Sequence, residues 1–450
     1  VVAVSYLFYG WWDWRFLLLI LFTSLCSYLS GVYLEKCAGN RLVQKWISAG
    51  NILLNLSILG VFKYFDFFTE NLVNVLHLLG WDADYVTLNI LLPVGISFYT
   101  FQALSYTIDV YQGKIKATHD IVAFFAYISF FPQLVAGPIE RATHLLPQFL
   151  RPRNFDCDLA LDGIRQMLWG FFKKVVVADN CALFVNGVFE NYQTLDGSTL
   201  FLGAFFFTIQ IYGDFSGYSD IAIGCARLFG IDLMQNFKYP YFSRDIAEFW
   251  HISLTTWFRD YIYIPLGGSR AGKWKSFRNT LVIFLVSGFW HGANWTFVAW
   301  GAYHALLFLP LLLLGQNRRY RDSVAENSFL PSVKELTQMG ATFLLVLLGW
   351  ILFRSEDISQ AAVYLERMFN VSLFSAPQLV GLGFGQLLLK KCFFFTALMF
   401  IVEWIGRKQA HGLMIEDLSL PVRYVIYTVL LIIIYGFDAS NPQGFIYFQF

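Results

Sequence analysis

The chain has 450 residues, of which 57% are hydrophobic, 19% aromatic and only 14% charged, and its formal net charge is +1. A soluble domain of this length carries about a quarter charged residues. The composition therefore excludes an ordinary soluble protein and predicts an all-α polytopic membrane protein. A net charge so close to zero gives no indication of nucleic acid or of a strongly acidic partner. The six cysteines show no metal-ligand spacing, so we interpret them as free packing thiols.

Apolar stretches that approach membrane-spanning length follow one another along the chain. A hydrocarbon core requires about 20 apolar residues in a helix, and the candidates are 14–34, 47–66, 121–137, 166–188, 198–212, 279–312, 338–353, 390–405 and 420–436. Further stretches are shorter or are interrupted by Pro93 and Gly95, and they are predicted to be re-entrant or interfacial: 1–12, 70–80 and 89–108. The sequence thus predicts roughly ten or eleven membrane segments in one integral-membrane domain over 1–450. Since apolar sequence begins almost at once, we expect an earlier membrane segment to precede Val1.

Three stretches carry polar residues that a simple spanning helix would avoid: 96–102, 131–141 and 210–220. Polar and glycine-rich backbone is tolerated at membrane depth only where protein buries it or water lines it. Together these stretches predict an internal polar chamber.

The most hydrophilic interior region runs from Lys238 to Arg278. Short loops rich in Lys and Arg tend to be cytoplasmic, so we place this region on that side of the membrane. Its predicted helices, 244–256 and 258–264, are too short to span and are expected to lie at the interface.

The most informative stretch is 286–295, which places His291 and Asn294 inside an otherwise apolar run. Ionisable groups at membrane depth are costly and usually face a functional cavity. A neutral imidazole is well suited to moving a proton near neutral pH. A helix from Asn279 would rise about 18–20 Å by His291, past the middle of the hydrocarbon core.

The sequence allows two backbone conformations after His291. If the helix continues, Asn294 and Trp295 share the face of the histidine at i+3 and i+4. Alternatively, Gly292 ends the helix and exposes backbone N–H groups beside the ring. His304 points to another side of a continuous helix, so we interpret it as structural.

Each histidine also has a simpler interpretation. His291 could be a buried ring bound to a backbone carbonyl, and His251, in a charged amphipathic context, could have a surface role. No functional role is predicted for the other histidines: His77, His119, His144 and His411. The sequence has no H-E-x-x-H motif and no tight His/Asp/Glu cluster, so no metal site is predicted.

The tryptophans and the basic loop also allow two interpretations. Trp290, Trp295 and Trp300 are most simply packing residues, although flat rings could line a tunnel for an acyl group. Four basic residues form either a solvated loop or a cytoplasmic mouth that attracts a phosphate-bearing donor: Arg259, Lys273, Lys275 and Arg278.

Five motifs in order resemble the membrane-bound O-acyltransferase (MBOAT) family, in particular its branch that acetylates alginate and similar bacterial polysaccharides. The motifs are Leu92–Gln102, Phe130–Ile139, Asp214–Asp220, His251–Tyr261 and Ser287–Gly292. The stretch 133–139 is closer to this branch than to the relatives that transfer D-alanine to teichoic acid. Unlike most members, this chain has no basic-aromatic insert before His251, because Trp250 directly precedes it.

The resemblance implies a helical bundle around a central tunnel, in which His291 is the catalytic residue and His251 the second family histidine. It implies no resident cofactor, with acetyl-coenzyme A or an acyl carrier protein as the acyl donor. The expected acceptor is an exported polysaccharide, reached directly or through a periplasmic or membrane relay protein. The expected location is the bacterial cytoplasmic (inner) membrane.

The preferred hypothesis is transfer of a short acyl group, most simply acetyl, with His291 as general base and Asn294 or the backbone near Gly292 stabilising the oxyanion. Trp290 and Trp295 complete the predicted site. The alternatives are transfer of D-alanine or another acyl group, a transporter or channel, and a non-enzymatic subunit that anchors a polysaccharide export complex.

Overall fold

Helices form the regular structure of this chain in the computed structural model. The structure describes residues 1–82, 84, 86–88, 90–135, 137–250, 252–270, 272–317, 319–320, 322–378, 386–437 and 444–446. Within these ranges it contains eighteen α-helices and no β-strand. The predicted all-α class is therefore confirmed.

The first nine α-helices occupy the N-terminal part of the chain: α1 (Val2–Trp12), α2 (Arg15–Lys36), α3 (Arg41–Leu59), α4 (Phe65–Leu78), α5 (Ile96–Tyr111), α6 (Ile121–Ser129), α7 (Phe131–Leu134), α8 (Ala142–Leu150) and α9 (Cys157–Phe171). The remaining helices are α10 (Asp179–Glu190), α11 (Gly197–Leu228), α12 (Ile252–Phe258), α13 (Lys273–His291), α14 (Trp295–Leu313), α15 (Val333–Arg354), α16 (Ile358–Met368), α17 (Gln386–Ile405) and α18 (Leu420–Gly436). Wider π-helical turns continue three of them: Gly60–Tyr64, Phe172–Ala178 and Arg259–Tyr263. Short 3₁₀ turns lie at Pro240–Phe242 and Val371–Phe374.

Four helical segments are long and apolar enough to cross a membrane: Arg15–Lys36, Arg41–Leu78, Trp295–Leu313 and Val333–Arg354. They correspond to four of the predicted spans. Among the described residues, the other helices are shorter, less apolar or more charged than these four. Their place in the count of ten or eleven stays a prediction. The stretch 70–80, predicted as a separate interfacial segment, is instead largely the end of the long helix that begins at Arg41.

The chain forms two compact units, one of residues 1–157 with 226–234 and the other of 158–225 with 235–450. In the first unit, α2, α3 and α5 pack together through a buried polar seam. The amide of Asn51 donates to Thr107 Oγ1 at 2.7 Å and to Ser27 Oγ at 3.3 Å. Such hydrogen bonds join helices in an apolar setting, where an unpaired polar group is costly.

The second unit has an aromatic core. Its largest fully buried side chains include Trp169, Trp300 and Phe206, and the rings of Trp300 and Trp350 stack at 5.7 Å. The core contains residues of α11, α14 and α15, and it surrounds the hairpin formed by α13 and α14.

The predicted helix over 244–256 is wrong in its first half. Asp245 Oδ1 accepts hydrogen bonds from the backbone N–H groups of Ala247 and Glu248, both at 2.9 Å, and this local turn competes with helix formation. The helix begins only at Ile252, whose N–H donates to the carbonyl of Asn236 at 3.0 Å.

Two glycines allow α13 and α14 to pack closely. A Cβ added to Gly288 would collide with the carbonyl oxygen of Phe297, and one added to Gly301 would collide with that of Phe284. The backbones of the two helices are therefore in direct contact, and this contact determines where the last turn of α13 lies.

We expect Gly288→Val to force α13 away from α14 and to lower the free energy of unfolding by about 1–3 kcal/mol, the usual cost of overpacking. Thermal unfolding of the purified protein in detergent, followed by tryptophan fluorescence, measures this effect. Gly340→Val is the matched control, because a side chain at that helical glycine meets nothing within 4 Å. Equal unfolding temperatures for both variants would contradict the close-packing argument.

Candidate active site

His291 is the last residue of α13, and its side chain is buried, with only 5% of the residue exposed. The helix ends here because Gly292 takes an extended conformation. Asn294 then caps α14: its Oδ1 accepts from the N–H of Thr296 at 3.0 Å, and its Nδ2 donates to the carbonyl of Glu356 at 2.6 Å. Of the two geometries left open by the sequence, the helix break at Gly292 is the one observed. Both ends of the Asn294 side-chain amide are therefore engaged in hydrogen bonds that hold this turn.

Three aromatic rings surround the imidazole edge to face. The centroids of Trp290, Trp300 and Phe353 lie 4.8, 5.1 and 5.3 Å from that of His291. This packing fixes the orientation of the imidazole. Trp295 instead has 55% of its surface exposed.

His304 lies next to the same tryptophan, 4.9 Å from the centroid of Trp300. Its ring is fully buried among aromatic side chains, with the ring of Trp250 at 4.8 Å. This position agrees with the structural interpretation of His304.

His291 lines a small cavity of about 20 Å³, which we call the histidine pocket. The pocket is lined by Ile211, Tyr212, Phe215, Phe237, Pro240, Tyr241, Phe249, His291, Trp350 and Phe353. The hydroxyl of Tyr241 donates to the carbonyl of Thr208 at 2.6 Å, and that of Tyr212 donates to the carboxyl group of Glu403. Because both hydroxyls are engaged by protein groups, His291 is the chemically distinctive residue of an otherwise apolar wall.

A second cavity, of about 20 Å³, is the polar pocket. It is lined by Trp169, Lys173, Tyr212, Ser216, Ser219, Asp220, Ile223, Gln235, Asn236, Phe237, Tyr239, Ala410, His411 and Gly412. Lys173 Nζ lies 2.6 Å from Asp220 Oδ2 and 3.8 Å from Glu403 Oε1. The amide of Gln166 donates to the other oxygen of Asp220 at 2.8 Å. The buried lysine therefore has the partners that a charge at this depth requires.

The neighbouring lysine belongs to a second buried ion pair. Lys174 Nζ lies 2.7 Å from Asp179 Oδ1 and 2.8 Å from Asp214 Oδ1. The other oxygen of Asp214 accepts from the backbone N–H of Ile446 at 2.7 Å. These contacts join α10, α11 and the segment 444–446 within one network.

The third cavity, of about 190 Å³, is the largest of these three and is called the large pocket. It is lined by Lys238, Tyr239, Phe242, Ser243, Glu248, Ile252, Tyr320, Asp322, Ser323, Val324 and Arg407. Buried Arg407 donates to the backbone carbonyls of Val324, Ala325 and Ser328 at 3.1, 3.1 and 2.7 Å. The guanidinium thereby holds the loop that forms one wall of this pocket.

The three pockets are neighbours in a series. Tyr239 lines both the large pocket and the polar pocket, while Tyr212 and Phe237 line both the polar pocket and the histidine pocket. Of the three stretches predicted to form a polar chamber, 210–220 lines the polar pocket and the histidine pocket. The other two stretches assigned to it, 96–102 and 131–141, belong to the first unit and line none of these cavities.

The basic residues predicted to form a donor mouth are not at these pockets. Arg259 Nε donates to Asp260 at 2.7 Å, and Arg278 Nη2 donates to Asn279 Oδ1 at 2.8 Å. Lys273 and Lys275 are exposed on the first turn of α13. None of the four lines the three cavities described above. His251 lies outside the described residues.

Sequence analysis missed the buried charges around the polar pocket, above all Lys173 and Glu403. A signal was present, because both stand inside stretches predicted to span the membrane, where a charge usually indicates function. Their partners could not be read from spacing, since Glu403 lies 191 positions from Tyr212.

Comparisons with known proteins agree with this architecture. Residues 114–323 match the sequence model of the membrane-bound O-acyltransferase family. The chain is 39% identical over 398 residues to the probable alginate O-acetylase AlgI of Pseudomonas aeruginosa, an alignment that covers 86% of this chain and 74% of that protein. It is 33% identical over 406 residues to the peptidoglycan O-acetyltransferase of Helicobacter pylori, covering 83% and 73% of the two chains. It is 27% identical over 285 residues to the teichoic acid D-alanyltransferase of Bacillus subtilis, covering 60% and 70%. The chain is therefore a membrane-embedded acyltransferase and belongs to the membrane-bound O-acyltransferase family.

Proposed function

We propose that this protein moves an acetyl group from a thioester donor to a hydroxyl group of an exported cell-envelope polysaccharide, with His291 as general base. The observation that carries the proposal is the position of His291 on the apolar pocket at the end of the three cavities. The relatives named above as acetylating alginate or peptidoglycan support the choice of acetyl and of a polysaccharide.

The reaction requires one proton acceptor at the site of attack. The acceptor hydroxyl gives its proton to the imidazole of His291 while its oxygen bonds to the thioester carbonyl carbon. The tetrahedral intermediate then collapses, the C–S bond breaks, and the imidazolium returns the proton to the departing thiolate. A positioned base contributes about 10²–10⁴-fold to such a step. We assign oxyanion stabilisation to backbone N–H groups near Gly292, because the amide of Asn294 already has two partners.

The donor is a substrate, either acetyl-coenzyme A or an acetylated carrier protein, and the protein has no resident cofactor in this proposal. Its arm enters through the large pocket, whose volume of about 190 Å³ exceeds that of the other two cavities. The polysaccharide receives the acetyl group directly or through a periplasmic or membrane relay protein. In this proposal the protein is a multi-pass enzyme of the bacterial cytoplasmic membrane.

The chemistry of the histidine pocket supports acetyl over D-alanyl transfer. A D-alanyl group carries an ammonium, and burying an unpaired charge is very costly. Among the described residues that line this pocket, none is acidic. An acetyl group has no charge and suits an apolar wall.

Replacing His291 with Ala should lower acetyl transfer by about 10²–10⁴-fold, because the base is lost. The measurement is transfer of radiolabel from acetyl-coenzyme A to polysaccharide, with purified protein in detergent and its candidate relay partner. His77→Ala is the matched control, since His77 is an exposed histidine on α4. Full transfer by His291→Ala would disprove the role of the base. Solute uptake that survives this change, without acetyl transfer by the wild type, would favour a transporter.

Arg407→Lys should raise the donor KM on the order of tenfold, the effect of losing about 1.4 kcal/mol of binding. Lysine keeps the charge but cannot hold three carbonyls in the planar geometry of a guanidinium. The rate of acetyl transfer at saturating donor concentration should stay near that of the wild type, as expected when binding alone is weakened. The comparison is Lys408→Ala, which removes a single exposed contact to Glu326 of the same loop. An unchanged KM in Arg407→Lys would exclude this loop as a wall of the donor site.

A further inference from the structure

Two aromatic rings form a partition between the polar pocket and the histidine pocket. Tyr212 and Phe237 line both cavities, and their ring centroids lie 6.3 Å apart at an angle of 82°. The space next to His291 and the space next to Lys173 are therefore adjacent and are separated by side chains.

The two sides of this partition differ sharply in polarity. The polar pocket contains the ion pair of Lys173 and Asp220. Ser216 and Tyr239 also line it, and among the described residues their buried hydroxyls have no hydrogen-bond partner. Buried polar groups of this kind are normally satisfied by water, and a polar cavity of this size can hold it. On the other side, the wall around His291 is apolar, so the partition separates a polar cavity from an apolar one.

A buried carboxyl group fixes the position of the partition. The hydroxyl of Tyr212 donates to both oxygens of Glu403, at 2.8 and 2.9 Å, and Glu403 is only 1% exposed. Lys173 lies 3.8 Å from the same carboxyl group. The ring of Tyr212 is thus held at its hydroxyl end as well as at its root in α11, and it cannot swing away from Phe237 without breaking this contact.

We propose that Tyr212, positioned by Glu403, is a water barrier that makes the enzyme transfer its acyl group to an alcohol instead of hydrolysing the donor. The inference rests on the proposed function, because it concerns the thioester held beside His291. Water has the same O–H group as an alcohol, so a base that activates one activates the other. Exclusion of water from the reacting centre is a recognised means of preventing this side reaction.

With the barrier removed, the chemistry of the side reaction is simple. A water molecule from the polar pocket gives a proton to His291, and its oxygen bonds to the thioester carbonyl carbon. The C–S bond breaks, the thiolate takes the proton from the imidazolium, and the products are acetate and free thiol. No oxidant, reductant or further reactant is required.

The test compares hydrolysis with transfer in the purified protein. Acetyl-coenzyme A is supplied without acceptor to measure thiol release, and with acceptor polysaccharide and relay partner to measure acetyl transfer. We expect Tyr212→Ala to raise the ratio of hydrolysis to transfer at least tenfold. The gained hydrolysis should disappear in Tyr212→Ala/His291→Ala, because it uses the same base.

Three further variants keep the test decisive if Tyr212→Ala does not fold. Phe237→Ala removes the other ring of the partition and should raise the ratio of hydrolysis to transfer to the same extent. Glu403→Leu removes the acceptor for the tyrosine hydroxyl and should raise the ratio. Glu403→Gln still accepts a hydrogen bond and should keep the ratio near the wild-type value. The matched control is Phe343→Ala, which removes a nearby aromatic ring, 5.3 Å from that of Tyr241, that lines none of the three pockets. Its ratio of hydrolysis to transfer should stay at the wild-type value.

The outcomes separate the two proposals. Wild-type protein that transfers acetyl groups, with no increase in hydrolysis in Tyr212→Ala and Phe237→Ala, would overturn the water barrier and leave the proposed function intact. An equal increase in Phe343→Ala would also overturn it, because the loss of any nearby aromatic ring would then suffice. Absence of acetyl transfer by the wild type would instead overturn the proposed function.

Discussion

The direct backbone contact between α13 and α14 is the constraint on which the active site depends. Gly288 and Gly301 leave no space between the two helices. The hairpin consequently ends in a short turn, with His291 at its beginning and Asn294 capping the next helix. Trp300, less than two turns into α14, then packs against the imidazole. One steric fact thus determines both the depth of the histidine and the orientation of its ring.

Around this hairpin the protein separates two environments that are normally incompatible. Lys173 and Lys174, between α9 and α10, form buried ion pairs. Tyr212 and Phe237 line both the polar pocket at Lys173 and the apolar cavity at His291. Buried ion pairs contribute little net stability, because desolvation offsets their attraction. Their presence is better explained by the polar cavity that they create. An acyltransferase needs such a division, since its donor has polar parts and its reacting carbon must avoid water.

The sequence was sufficient to predict the helical class, and it singled out His291, which lines a buried cavity in the structure. Both are local signals: apolar runs of spanning length, and an ionisable residue inside one of them. It left the break at Gly292 open, since a glycine can occur within a helix or end it. The pairing of Tyr212 with Glu403 could not be predicted, because it depends on how distant helices pack. The same reason explains why the stretch 96–102, polar like 210–220, does not line the polar pocket: polarity indicates a buried partner but does not say which one.

Arg407 holds the loop 322–330 by its main-chain carbonyls and not by its side chains. Every amino acid presents the same carbonyl group, so the anchor is indifferent to the identity of the residues that it holds. Substitutions along this loop can therefore change the surface offered to an incoming molecule while the path of the backbone is retained. The side chains in this wall of the large pocket can therefore vary in chemistry while the backbone that carries them keeps its position.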